Sequence, residues 1–202
     1  MQYCEEVSGN GLVYGQGKIG VGNYKSGVCG KSIPTKVYQL WLDMLRRCYS
    51  PQKQKIAYSY VGCTVSENFK NFQFFAEWCN NQVGFGLKGY ELDKDLLIKG
   101  NKLYSENTCV FLPRKLNCLI KLPIKIRSLP PCVYKDGNTY RVIIRVGDRK
   151  KSFGRYLSVE EAFYVYKTFK ESVIKETAER WKDQIDPRAY NALISYEVEI
   201  TD

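Results

Sequence analysis

The sequence contains no histidine. That absence removes the side chain whose ordinary pKa lies nearest neutrality, and with it the usual general base, proton shuttle and commonest metal ligand. Ser–His and Cys–His nucleophiles and histidine-held zinc are excluded at once. The cysteines are also without pattern: Cys4, Cys29, Cys48, Cys63, Cys79, Cys109, Cys118 and Cys132 include no C-x-x-C pair. Structural zinc needs ligands bunched in closely spaced pairs, so no zinc is expected. The cysteines read as reduced, mostly buried thiols of a cytoplasmic protein. No run of about 18 apolar residues occurs, and MQYCEEVSGNG has neither a basic start nor an apolar stretch behind it. The expectation is neither a membrane span nor secretion by a signal peptide. A phosphate-binding loop is missing too. GVCGKS falls short because the glycine needed five residues before Gly30 is Lys25.

What is present is apolar material for a core: 44% of the residues are hydrophobic, with 16 Tyr and 9 Phe, which argues against global disorder. At 202 residues the chain has room for one mid-sized domain or two small ones. The net charge is +10, and its location is informative. Between Pro113 and Arg155 stand twelve basic residues against only Asp136 and Asp148, which accounts for the entire excess. A polyanion binder concentrates charge in this way.

Residues 1–34 are glycine-rich and read as short strands and turns. In KVYQLWLDMLRRCYS, Val37, Leu40, Trp41, Met44, Leu45 and Cys48 recur at helical steps, and Pro51 is expected to end that helix. YSYVGCTVSENF reads as an irregular, partly extended link. A second helix is expected in NFQFFAEWCNNQ, with Asn71 as its cap. YELDKDLLIKGNKLYSENTCVFLP then reads as strand, polar loop, strand and helix start, with Pro113 in the first helical turn. The proline-marked LPIKIRSLPP, residues 122–131, is taken as a linker between a 35–121 module and a 132–202 module. In the latter, Asp136-Gly137 and Gly147-Asp148 separate three strands. Ser158 and Glu161 form a capping box ahead of a helix. The final NALISYEVEITD reads as a terminal strand.

Alternation on the middle strand puts Tyr140, Val142 and Ile144 on one face and Arg141, Ile143 and Arg145 on the other. Three antiparallel strands on one helix leave an outer face carrying Arg141, Arg145 and Lys150, cations suited to phosphates and guanine edges. TYRVIIRVGDRKKSFGRYLSVEEAFYVYKTFK resembles the three-stranded, integrase-like DNA-binding domain of the Apetala-two class, whose closing pattern FGRYLSVEEAFYVY fits. The resemblance implies that Tyr134, Arg141, Ile143, Arg145, Lys150 and Ser152 meet double-stranded DNA. Lys135, Arg149, Lys151 and Arg155, basic residues of the same strands, join the candidate set. This chain lacks several arginines and tryptophans of the plant version, so no base preference carries over.

The middle of the chain is similar to phage-encoded HNH, or His-Me finger, endonucleases. Trp41, Met44, Arg47, Cys48 and Tyr49 match their W-x-x-M-x-x-R-C-Y helix, and LDKDL with the following SENTCVF matches their core. The implied fold is α+β: a ββα-metal core with flanking helices, plus the three-stranded sheet. The family cuts DNA with a histidine base and a divalent metal. The match puts Lys94 at the histidine, Asp93 at the neighbouring acid and Thr108 at the central asparagine, with Asn107 beside it. Asp93 and Asn117 become the implied ligands of magnesium or another divalent cation. Lysine suits phosphate binding but is a poor base near neutral pH, and Asp95, an ordinary carboxylate, is a weak one. The leading expectation is a catalytically degenerate HNH scaffold that binds DNA in a phage or mobile-element setting, for regulation or interference with host machinery. Two alternatives stand beside it: an active metal-dependent endonuclease using Asp93, Lys94, Asp95 and Asn117, and an inhibitor whose basic sheet grips an acidic host protein.

Overall fold

Thr35 starts the first helix by accepting the Tyr38 N–H at 3.3 Å. The computed structural model, which describes residues 11–28, 31, 33–121 and 128–201, extends that helix (α1) over Lys36–Tyr49. Its buried stripe is Tyr38, Trp41, Met44, Leu45 and Cys48, as the spacing requires. Pro51 does not merely end α1. A proline needs no N–H in the first turn of a helix, so it opens a second one, α2 (Pro51–Ile56), capped by Ser50. The segment read as an irregular link is ordered: a 3-10 turn Tyr58–Tyr60, strand β1 (Thr64–Val65) and helix α3 (Glu67–Lys70). Helix α4 (Phe72–Asn80) follows, with Asn71 Oδ1 accepting the Gln73 N–H at 2.9 Å.

Strand β2 (Tyr90–Asp93), β3 (Leu103–Tyr104) and β4 (Val110–Pro113) come next. β2 and β4 pair antiparallel, with Asp93 opposite Val110, and β1 and β3 pair parallel. Pro113 closes β4, and helix α5 begins at Arg114 and runs to Ile120. Then come β5 (Val133–Asp136), β6 (Thr139–Val146) and β7 (Arg149–Tyr156) in one antiparallel sheet of that order. Helix α6 (Val159–Trp181) carries the capping box complete: Glu161 N–H donates to Ser158 Oγ at 3.1 Å, and Ser158 N–H donates back to Glu161 Oε2. A 3-10 turn, Lys182–Gln184, leads to α7 (Pro187–Ile194). The chain is thus mixed α+β. Among the described residues no helix is long and apolar enough to cross a membrane.

Two compact units form. One is the described chain up to Pro113 with Gln184–Ala189, and the other is Arg114–Asp183 with Tyr190 onward. The division differs from the expected boundary at the 122–131 linker, most of which lies outside the described residues. The reason is α5: its buried Leu116 and Ile120 pack on α6, so it joins the second unit. The first core is aromatic. Trp41 stands between Tyr38 and Phe72, ring centroids 5.7 and 5.5 Å away, and its indole N–H donates to the Phe69 carbonyl at 2.7 Å. The glycine-rich start is pressed against that ring: a Cβ on Gly17 would lie 2.7 Å from Trp41 atoms. The second core joins Val133, Val142 and Ile144 of the sheet to Ala162, Phe163 and Tyr166 of α6.

The expected terminal strand is not formed. Only the first four residues of that stretch, 191–194, are regular: they end α7, whose Ala189 and Leu193, four residues apart, are fully buried, and residues 195–201 form no strand. Beyond α7 the chain lies along α6: Lys167 Nζ donates to the Val198 carbonyl at 2.9 Å, and Val198 N–H to Glu171 Oε1 at 2.8 Å.

Candidate functional site

The charged face of the second unit is built by strand register. Residues directly opposed in an antiparallel pair share a face. Val133 opposes Val142, and these two with Ile144 are buried against α6, which marks the inner side. On the other side Tyr134 opposes Arg141, Arg141 opposes Arg155, Ile143 opposes Ser152, and Arg145 opposes Lys150. The sheet therefore gathers Tyr134, Arg141, Ile143, Arg145, Lys150, Ser152 and Arg155 on one outer surface. Three further candidates do not belong to it. Lys135 opposes Tyr140, Lys151 opposes Ile144 and Arg149 opposes Val146, so these point to the helix side, where they are exposed beyond the core.

Two of the outer cross-strand pairs, Arg141–Arg155 and Arg145–Lys150, bring like charges face to face, an arrangement that destabilises a sheet. Relief is local: Arg155 Nε meets Asp136 Oδ2 at 2.7 Å, and Arg141 Nε donates to Ser152 Oγ at 3.4 Å. Asp136 was read in the sequence as a turn residue and one of the block's two acids, not as part of this face, although its place two residues after Tyr134 puts it there. A bulge also shapes this surface. Between Arg141 and Ile143 the register with β7 shifts by one, at Gly154, whose φ is +114°. A glycine inside a strand pattern was the signal for it. Tyr156 Oη closes the bulge by donating to the Phe153 carbonyl at 2.7 Å.

In the first unit the loop after β2 holds Asp93, Lys94 and Asp95. Asp93 Oδ1 accepts the N–H groups of Asp95 and Leu96 at 2.9 and 2.8 Å, so this carboxylate turns the chain. Burial pushes its pKa up, with the Asp95 charge adding to the rise, against the pull of these N–H bonds and of Lys94. Lys94 is only 5% exposed. Its ammonium pairs with Asp95, donates to the Asn101 carbonyl at 2.7 Å and lies 5.7 Å from the centre of the Tyr104 ring. Asn101 answers by donating to the carbonyls of Lys94 and Leu103 at 2.8 and 2.6 Å. Asn101 and Tyr104 are the partners sequence reasoning missed. In the sequence Asn101 is only the second residue of a Gly-Asn pair, an ordinary turn signal.

Thr108 is equally committed. Its Oγ1 donates to the Leu103 carbonyl at 2.7 Å, accepts the Ser105 N–H at 3.1 Å and meets Ser105 Oγ at 2.9 Å. Asn107 is exposed beside it. Asn117 is buried on α5, in the second unit. The four residues named as a catalytic set are thus divided: Asp93, Lys94 and Asp95 form one knot, and Asn117 belongs to the other unit.

The chemistry of the knot is that of a fastener. A lysine ammonium donates and cannot take a proton from water. A divalent cation is what the HNH resemblance implies here, and the donors of the first unit do not fit one. Asp93 Oδ1 is spent on two N–H groups, the carboxyl's charged form is disfavoured by burial, and Asp95 is neutralised by an ammonium that would face the ion. The described thiols of the first unit offer no substitute nucleophile. Cys48, Cys63, Cys79 and Cys109 are buried, and burial raises the pKa of Cys48 and of Cys109 to about 12. Cys4 and Cys29 lie outside the described residues. No family model, curated protein or solved structure matches this chain.

Proposed function

We propose that the chain binds double-stranded DNA through the outer face of β5–β6–β7, and that residues 35–121 are a degenerate HNH-type scaffold retained for binding. The observation that carries this reading is the pair of opposed cations, Arg141–Arg155 and Arg145–Lys150, around Ile143 and Ser152. A face selected only for folding would oppose unlike charges. This one keeps an arrangement whose repulsion a polyanion relieves. The order β2, polar loop, β4, α5 supports the ββα reading of the scaffold. Commitment of Lys94 and Asp93 to the loop supports loss of the cut.

The test is equilibrium binding of the full chain to a short duplex across a salt series, with nicking assayed in magnesium and in manganese. Arg141→Ala and Arg145→Ala are expected to weaken binding and to lower the slope of log K against log salt by about 1 each. Lys151→Ala, on the opposite face, is expected to have the smaller effect. No strand cutting is expected. Metal-dependent nicking that vanishes in Asp93→Ala would overturn the degenerate reading in favour of an endonuclease. Binding to an acidic protein that survives about 0.5 M salt, where phosphate contacts fail, would replace DNA as the partner.

A further inference from the structure

Helix α2 and the turn after it carry a surface that the sheet reading leaves unused. α2 buries none of its residues. Two side-chain hydrogen bonds tie it to the chain before it: Ser50 Oγ accepts the Lys53 N–H at 3.4 Å, and the Gln54 side-chain amide donates to the Cys48 carbonyl at 2.6 Å. An element that covers no core contributes little to folding, so its exposed side chains need another account. Those side chains are apolar, aromatic and cationic. Ile56 is 80% exposed and Tyr58 81%, and Lys53 and Lys55 precede them within five residues of the chain. Lys102 is brought there by its bond to the Ser59 carbonyl, 2.8 Å long.

The charge around this surface is of one sign. From Met44 to Ser66 the chain has no acidic residue. The acids that border the segment are engaged elsewhere: Asp43 with Arg46, Glu67 with Lys70, and Asp95 on the β2 loop with Lys94. An exposed ring flanked by lysines is the chemistry that takes a base out of a stack. The ring offers a face that any base can cover, and the ammonium groups hold the phosphates on either side. A fully paired duplex offers that ring no face, because its bases are stacked on one another.

We propose that Lys53, Lys55, Ile56, Tyr58 and Lys102 form a second nucleic-acid contact, which seats an unpaired nucleobase on the Tyr58 ring with lysines on the flanking phosphates. The ligand class is single-stranded or locally unpaired DNA. The contact lies in the first unit and does not depend on the sheet.

The test compares the full chain on a paired duplex, on the same duplex carrying one unpaired adenine, on a short single strand and on polyglutamate, all at one salt concentration. The unpaired base is expected to tighten binding about tenfold. Tyr58→Ala is expected to abolish that gain while leaving the paired duplex unchanged, and Tyr58→Phe to keep it. A 5-iodouracil at the unpaired position should cross-link to Tyr58 on irradiation, read by mass spectrometry. Because the side chain is exposed, the thermal midpoint of Tyr58→Ala should equal the parent's. Equal affinity for bulged and paired DNA overturns the proposal, as does an equal loss on both in Tyr58→Ala, or polyglutamate binding as tightly as DNA. Arg141→Ala with Arg145→Ala separates the two readings. If duplex binding is then unaltered while the Tyr58-dependent gain persists, the sheet reading fails and this one stands.

Discussion

Position 94 joins the chemistry expected of the chain to the fold it adopts. The resemblance to His-Me fingers would put their base at this lysine, and the fold closes over it. Its ammonium satisfies Asp95 and the Asn101 carbonyl, and its backbone carbonyl receives the Asn101 amide. Lys94→Met keeps the bulk and removes the donor, leaving the Asn101 carbonyl and Asp95 without a partner. The expected cost is about 1–3 kcal/mol, read as a lower urea midpoint. An unchanged midpoint would show that the knot does not hold the loop. Lys94→His supplies the residue type that the HNH resemblance expects without its surroundings, and is expected to gain no magnesium-dependent nicking. That a lysine occupies this place was legible in the sequence. That it is buried was not, because a lysine between two aspartates reads as solvated until the loop carrying Asn101 folds over it.

Among the elements, the three strands and α6 were the most legible, since each carries its own local signal: two turns, a period of two on β6 and the Ser158–Glu161 box. The bulge on β7 decides more than those signals do. It shifts the register so that Ser152, not its neighbour, faces Ile143. Gly154 permits it at φ +114°, and a Cβ there would lie 2.9 Å from Tyr156 Oη. Gly154→Ala therefore strains the backbone and displaces the ring that closes the bulge. An expected loss of about 1–3 kcal/mol would appear in thermal unfolding, together with weaker duplex binding as the outer cations lose their register. Binding and stability both equal to the parent's would show that the bulge does not set the face. The tail shows where element reading failed. A short stretch of mixed apolar and polar residues fits either period: its first four residues close α7, with Leu193 fully buried, and residues 195–201 form no strand.

For the whole molecule, two properties follow from how many groups are buried and where charge collects. Thiols held above their ordinary pKa by burial give a defined pH response. The folded state keeps its proton to higher pH than the unfolded chain does, for Cys48 and Cys109 up to about 12. Their contribution is therefore complete below the unfolded value near 9.0 and is lost as pH rises above it. The urea midpoint is expected to fall between about pH 8.5 and pH 11. Cys79, fully buried with its pKa raised by desolvation, contributes to the same loss, so the fall should be shallower in Cys79→Ala. A midpoint flat across that range would refute the assignment. Charge behaves differently, because it was already sorted along the chain. The whole excess of +10 falls between Pro113 and Arg155, so the segment on which the proposed polyanion contact rests was already marked in the sequence.

The sequence by itself determined what depends on near neighbours and on counts: the absence of a histidine base, the helical stripe of α1, the Asn71 and Ser158 caps, the hairpin turns and the charge block. Tertiary structure alone decided which side of the sheet each cation takes, that Lys94 is enclosed, that Asn117 belongs to the second unit and that α2 lies open with Tyr58 beside it. Those outcomes depend on residues brought together from distant parts of the chain, and periodicity within a segment carries no record of what will close over it.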